Sequence, residues 1–324
     1  MRPLGSLWVA FGHGILPIVL FINPDLNMCA EITLDALRQE IDDIDSQIHD
    51  LLIERTLVVE KVRTVKRGQK VKIRAAREAE ILYRLTARHK GLFPKRELTN
   101  IWRQIIVATL SIEGPFSVAV YMPDDASGFW DLACVQYGSF TPMSGHRSAR
   151  QVVEDVMTQK ATVGIVPIPR SDDNDPWWRY IASKNPDTPK VIARLPFTGQ
   201  SNTRDKAGLE ALVICPVPHE PAGRDRTLFV IELEQRVGLD LLRDALKACD
   251  LTAVQETSWH DDESPNMWLY LVEIDGFITE DDIRLNSFTE NFTVPVKQIA
   301  QVGGYALPLT EEELAVTALP SDED

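Results

Sequence analysis

The sequence has too few cysteines, and the wrong spacing, for a disulfide framework. There are four, at positions 29, 134, 215 and 249 of 324 residues, and no CxxC pair. Scattered thiols of this kind fit a reducing compartment, so the expected location is cytoplasmic. The six histidines show no metal-ligand spacing, and neither a metal nor a cofactor is expected. Internal repeats and low-complexity tracts are missing as well. No apolar run is long and clean enough for a spanning helix. The nearest, LWVAFGHGILPIVLFIN, is broken by Gly12, Gly14 and Pro17. Residues 1–28 read as an apolar N-terminal extension: either a mis-called start with Met28 as the natural one, or a signal peptide with Arg2 as a thin basic region.

Basic charge is also scarce. Thirty-four Lys and Arg face 48 Asp and Glu, a net charge of −14. The deficit is uneven. Residues 29–115 hold 16 basic and 13 acidic side chains, whereas the rest holds 18 basic and 35 acidic. This balance argues against a nucleic-acid partner. It suits a small anion held in a local basic pocket.

What is present begins at Leu34. No Gly or Pro interrupts the chain from there to Gly68, and apolar residues recur at 34, 37, 41, 44, 48, 51, 52, 58, 59 and 62. This three- and four-residue spacing predicts one amphipathic helix, capped by Thr33 and roughly 50 Å long. A stripe that long exceeds what a small domain covers by itself, so a partner subunit is expected. Arg55 falls on the centre of the stripe, and Lys66, eleven residues on, returns to within about 20° of it. Arg38 lies to one side. A buried cation without a partner is costly, so something anionic is expected to sit there. A structural ion pair, or stems snorkelling to water, is the plainer alternative.

A second helix, AREAEILYRLTARHK, closes at Gly91. A third, PKRELTNIWRQIIVATLSIE, opens at Pro94 and ends at Gly114-Pro115. Residues 29–115 thus read as all-helical. Residues 116–218 then alternate strand and helix, with FSVAVYM, TVGIVPIP, KVIARLPF and LEALVICPVP as strands, which predicts a small α/β layer with a partly parallel sheet. Trp177-Trp178 reads as a packed helix face. HEPAGRDR is a linker. Residues 225–308 then follow the order strand, helix, strand, strand, helix, strand, a ferredoxin-like βαββαβ unit. Residues 309–324 form an acidic tail.

The helical segment resembles the all-α chorismate mutase family. The resemblance is carried by Arg38, Arg55 seventeen residues on, Lys66 eleven further, Arg77-Glu78 opening the second helix, and Thr109 and Glu113 late on the third. It implies an intertwined homodimer paired through the long first helix, with chorismate as substrate and prephenate as product. In that reading Arg55, Lys66 and Glu113 are catalytic, and Arg38, Arg77, Glu78 and Thr109 bind substrate. Arg38 reaches into the partner's site, Arg55 binds a carboxylate, and Lys66 meets the ether oxygen and a carboxylate. Arg77 orients these groups, Glu78 accepts the ring hydroxyl, Thr109 fills a small hydroxyl position, and Glu113 faces the ether oxygen. Two features depart from the family pattern: a slightly shorter loop GQKVKIRAAR, and Ala75-Ala76 where an acidic residue is usual.

The remainder resembles prephenate dehydratase and its regulatory ACT domain. VGIVPIP is similar to the dehydratase's GVVPIENS region, and VKQIAQVGGY to the end of an ACT domain. The resemblance implies a periplasmic-binding-like architecture, of which only a single lobe is present. Leu209-Glu210-Ala211 stands where the family has Thr-Arg-Phe, and Asn202-Thr203-Arg204 is offset by seven residues. A degenerate dehydratase-like domain is therefore expected. The ACT-like unit reads either as a phenylalanine effector site or as a dimerisation and packing module; Val237-Gly238-Leu239 and Glu256-Thr257-Ser258-Trp259 stand at its effector motifs. The leading reading is a chorismate mutase. A bifunctional mutase–dehydratase and a non-catalytic amino-acid-sensing dimer are the alternatives.

Overall fold

A computed structural model describes residues 33–65, 73–124, 127–200, 203, 208–261, 264 and 266–315. The chain divides into two compact units, Met1–Val58 and Val59–Asp324.

The first helix, α1, spans Leu34–Val65. The Thr33 hydroxyl accepts the Ala36 amide at 3.3 Å, and Asp35 sits in the first turn, so the predicted start is the observed one. No residue of α1 is buried. Its apolar stripe is open along its length, with Ile41, Ile48 and Leu51 all more than half exposed. An exposed apolar stripe of this extent marks an interaction face.

Helix α2 (Ala75–Arg88) and helix α3 (Lys95–Glu113) follow. Pro94 caps α3 and Gly114 ends it, as the punctuation of the sequence predicts. The buried face of α2 is Glu78, Ala79, Leu82 and Thr86, with the last three spaced about a turn apart. Ala79 and Leu82 pack with Phe197, Ala306, Leu309 and Leu314 from the far end of the chain. The helix is thus seated on the sheet rather than tethered beside it.

The strands are β1 (Val118–Tyr121), β2 (Met143–His146), β3 (Val163–Pro167), β4 (Lys190–Leu195), β5 (Ala211–Cys215), β6 (Asp225–Leu233), β7 (Ala253–His260), β8 (Trp268–Asp275) and β9 (Val296–Ala306). They form one sheet in the order β2-β1-β3-β5-β4-β9-β6-β8-β7. β1 is parallel to β2 and β3, while β5 is antiparallel to β3 and β4. β6 is antiparallel to both β8 and β9. Helices α4 (Gly128–Tyr137), α5 (Ala149–Met157), α6 (Leu239–Ala248) and α7 (Ile283–Asn291) cover it, with a 3-10 turn at Trp177–Ile181. A short α8 (Glu311–Leu314) closes on Thr310, whose hydroxyl and the Glu313 side chain cap each other's backbone.

Two features differ from the sequence reading. Strand β2 has no predicted counterpart: Met-Ser-Gly-His carries no alternating apolar pattern, and only pairing with β1 makes it a strand. Second, the sequence places a linker between an α/β segment and a βαββαβ unit, yet the two share one sheet. The join is β4 against β9, paired at Val191 and Gly303. Residues β6-α6-β7-β8-α7-β9 keep the expected element order. One continuous core crosses the join: Trp177 and Trp178 pack with Leu212 of β5 and with Leu228, Leu271 and Tyr305 beyond it. The tryptophan pair is a packed face, as expected.

Candidate active site

Apart from Lys66, the predicted site residues fall on the three helices. Arg38 is exposed, and its Nη1 donates to Asp35 at 3.1 Å one turn earlier. Arg55 is half-buried. Its Nη1 is sealed from solvent and has no hydrogen-bond partner among the described residues. Burial lowers its pKa, as expected for a guanidinium stripped of water without a counter-charge. Lys66 lies outside the described residues, as does the Glu113 side chain; the α3 backbone ends at Glu113.

Arg77 and Glu78 are neighbours on α2 but point apart by about 100°. Arg77 faces water and pairs with Glu80 at 2.7 Å. Glu78 faces inward and is 7% exposed. Its Oε2 accepts from Arg103 Nη1 of α3 at 2.6 Å. Burial raises the Glu78 pKa, and the Arg103 charge and hydrogen bond oppose that rise. Such a pair holds only while both partners stay, because either alone is an uncompensated buried charge. The guanidinium also lies over the Phe197 ring, 5.7 Å from its centroid. Nearby Tyr137 of α4 is fully buried, and its phenol is pushed well up, first by burial and then by the Glu78 charge. Thr109, six residues past Arg103, is buried, and its hydroxyl donates to the Ile106 carbonyl at 2.6 Å.

The structure therefore brings Glu78 together with Arg103, a residue the sequence reading did not single out. The signal was there. Inward positions of α3 run Thr99, Arg103, Ile106, Val107 and Thr109, so Arg103 is a cation on an apolar face, the criterion that selected Arg55 on α1. Chemically, α2 and α3 offer one buried cation, Arg103, and one buried carboxylate acceptor, Glu78. Among the described residues no group of His, Cys, Asp and Glu could hold a metal ion. No described helix is long and apolar enough to cross a membrane.

Residues 37–114 match the family model of chorismate mutase type II. They form a chorismate mutase domain. A bifunctional chorismate mutase/prephenate dehydratase of Aquifex aeolicus (strain VF5) is 34% identical over 144 residues, covering 42% of this chain and 38% of the relative. The chain thus spans about two fifths of that curated relative. Two solved structures are similar over the larger part of the chain: a quorum-quenching acylase, GqqA (TM-score 0.44, 14% identity, 60% of this chain and 96% of that one), and the prephenate dehydratase of Arthrobacter aurescens in complex with L-Phe (TM-score 0.43, 11% identity, 62% and 93%). At such scores neither likeness carries an argument about function. A mixed α/β sheet follows the residues that match the mutase family.

Proposed function

We propose that this protein rearranges chorismate to prephenate, and that its residues divide the work as the resemblance implies. The observation that carries the reading is the family match of residues 37–114 over the ordered set Arg38, Arg55, Lys66, Arg77-Glu78, Thr109 and Glu113. The reaction is intramolecular, so the site has two tasks: hold the folded conformer, and stabilise negative charge growing on the ether oxygen. Arg38 and Arg55 bind the two carboxylates. Lys66 meets the ether oxygen, with Glu113 on it as hydrogen-bond donor when protonated. Arg77 orients the anionic groups, Glu78 accepts the ring hydroxyl, and Thr109 lines the pocket. The Nη1 of Arg55 supports its part, since a buried guanidinium nitrogen with no acceptor among the described residues suits an anion.

The open stripe of α1 supports a homodimer in which two first helices cover each other. The element order of residues 225–308 supports an ACT-like unit, and phenylalanine is the effector we assign to it. Only residues 182–189 separate the 3-10 turn from β4, which leaves no room for a second dehydratase lobe and supports a degenerate, single-lobe remnant at residues 116–218. The relative's bifunctional name favours one other reading, a working dehydratase. One assay on the full chain separates them: follow the loss of chorismate absorbance, then test the same mixture for phenylpyruvate. Prephenate without phenylpyruvate is the expected result. Phenylpyruvate would overturn the single-lobe reading, and unchanged chorismate would overturn the mutase assignment. Arg55→Ala should lower kcat/KM at least a hundredfold, the scale for losing one charge-stabilising donor.

A further inference from the structure

The Glu78–Arg103 pair stands outside the set of residues that the mutase reading uses. Its geometry is specific. Glu78 and Arg103 are each less than 10% exposed, they meet at 2.6 Å, and they come from different helices. Phe197, 6% exposed and just beyond β4, lies under the guanidinium at 5.7 Å and against Tyr83 of α2 at 5.6 Å. The ring is therefore wedged between the cation and the helix that carries the carboxylate. Phe197 comes from the sheet, not from the mutase domain.

We propose that Arg103 is a positioning residue for Glu78, keeping its carboxylate ionised and aimed as a hydrogen-bond acceptor, with Phe197 holding the guanidinium in place. The proposal rests on the mutase reading, in which Glu78 receives the substrate's ring hydroxyl. A carboxylate accepts several hydrogen bonds, so one bond from Arg103 leaves capacity for the hydroxyl. A protonated Glu78 would offer that hydroxyl only a neutral acceptor, and so a weaker hydrogen bond than the carboxylate gives. Burial pushes Glu78 toward protonation, and Arg103 is the group that opposes it. Among the described residues, the other titratable group facing the carboxylate is Tyr137 of α4, whose phenol stays neutral; Cys215 of β5, also neutral, lies beyond it. Among the described residues, Arg103 is the one cation acting on Glu78. The sheet, through Phe197, thereby takes part in setting the mutase site.

The test uses the full chain with Arg103→Gln, Arg103→Lys, Phe197→Leu and the neutral double variant Glu78→Gln/Arg103→Gln, which removes both charges together and keeps the fold accessible. Two quantities are measured: the Glu78 carboxyl titration by 13C NMR, with Glu78→Gln for assignment, and the pH profile of kcat/KM. In Arg103→Gln the Glu78 titration and the acid limb of the profile should both move up by at least about one pH unit, a tenfold change in protonation equilibrium. Arg103→Lys should restore most of the shift, Phe197→Leu should move both in the same direction by less, and the double variant should lack the limb. Variants with lower activity but an unmoved limb and titration would reduce Arg103 to a structural ion pair and overturn the proposal. Absence of turnover in the wild-type chain would overturn it together with the mutase reading, so the two failures are distinguishable.

Discussion

Single side chains carry the chemistry of this protein, and three of them make sharp predictions. Arg55 is the first: its buried Nη1 has no hydrogen-bond partner among the described residues and burial lowers its pKa, as the proposed anion-binding role requires. Glu113 is the second. A carboxylate facing a developing oxyanion repels it, whereas a carboxylic acid can donate a hydrogen bond. Mutase activity should therefore rise toward mildly acidic pH, and Glu113→Gln should flatten the profile; an unchanged profile in that variant refutes the role. His219 is the third, and it bears on stability. Its ring is buried, neither nitrogen has a hydrogen-bond partner among the described residues, and burial lowers its pKa from 6.5 to about 4. The folded state therefore binds this proton less readily than the unfolded chain. Stability from this group is intact above pH 6.5 and declines as pH falls toward about 4, by about 3 kcal/mol in total. Denaturant titrations at pH 7 and pH 4 should show the wild type losing about that much more than His219→Leu. Arg55 and Glu113 could be singled out from helical spacing and resemblance. His219 could not, because nothing in its neighbours predicts that it lies beside Phe277 and 3.9 Å from buried Asp225.

Among the elements, α1 is the one the sequence describes most completely. Its start, its length and its apolar stripe all follow from spacing, capping and the absence of Gly and Pro, because a long helix is local structure. The exposure of the whole stripe extends the argument to assembly. Sedimentation should give a dimer for the wild type, and Leu51→Glu together with Ile48→Glu, placing charges mid-stripe, should shift it to monomer and abolish turnover; a dimer that survives both changes would place the interface elsewhere. Helices α2 and α3 were equally legible as helices, but their partners were not. Spacing shows which face of α2 is inward, not that Phe197, Ala306 and Leu309 cover it. The contact is reinforced at the chain's far end: Arg224 bridges Glu313 at 2.5 Å and lies over the Tyr83 ring, and Arg96 bridges Glu311 at 2.6 Å. Residues 89 to 215 positions apart leave no periodic trace of meeting.

At the scale of the molecule, the main finding is the single nine-stranded sheet. Gly303 is its hinge pin. It adopts φ +115°, and a Cβ there would stand 2.2 Å from the Val191 carbonyl oxygen, so only glycine lets β9 approach β4. Gly303→Ala should destabilise the fold by roughly 2–4 kcal/mol, lowering Tm by about 5–10 °C. A melting temperature within a degree of wild type would mean that the join is not structural. The sequence reading drew a boundary at HEPAGRDR because polar, Pro- and Gly-containing stretches signal linkers. The signal was sound for a surface turn and silent on whether the strands on either side pair.

The sequence alone determined the three helices, the strands with strong apolar patterns, the βαββαβ order and the cations that point to chorismate chemistry. Each depends on residues within a few turns or on a fixed spacing. Only the tertiary structure decided that β2 is a strand, that the two strand-bearing segments form one sheet, that α2 rests on that sheet, and that Glu78 is bound by Arg103. These depend on pairs of groups far apart in the chain, whose meeting is set by packing and by the cost of burying a charge alone.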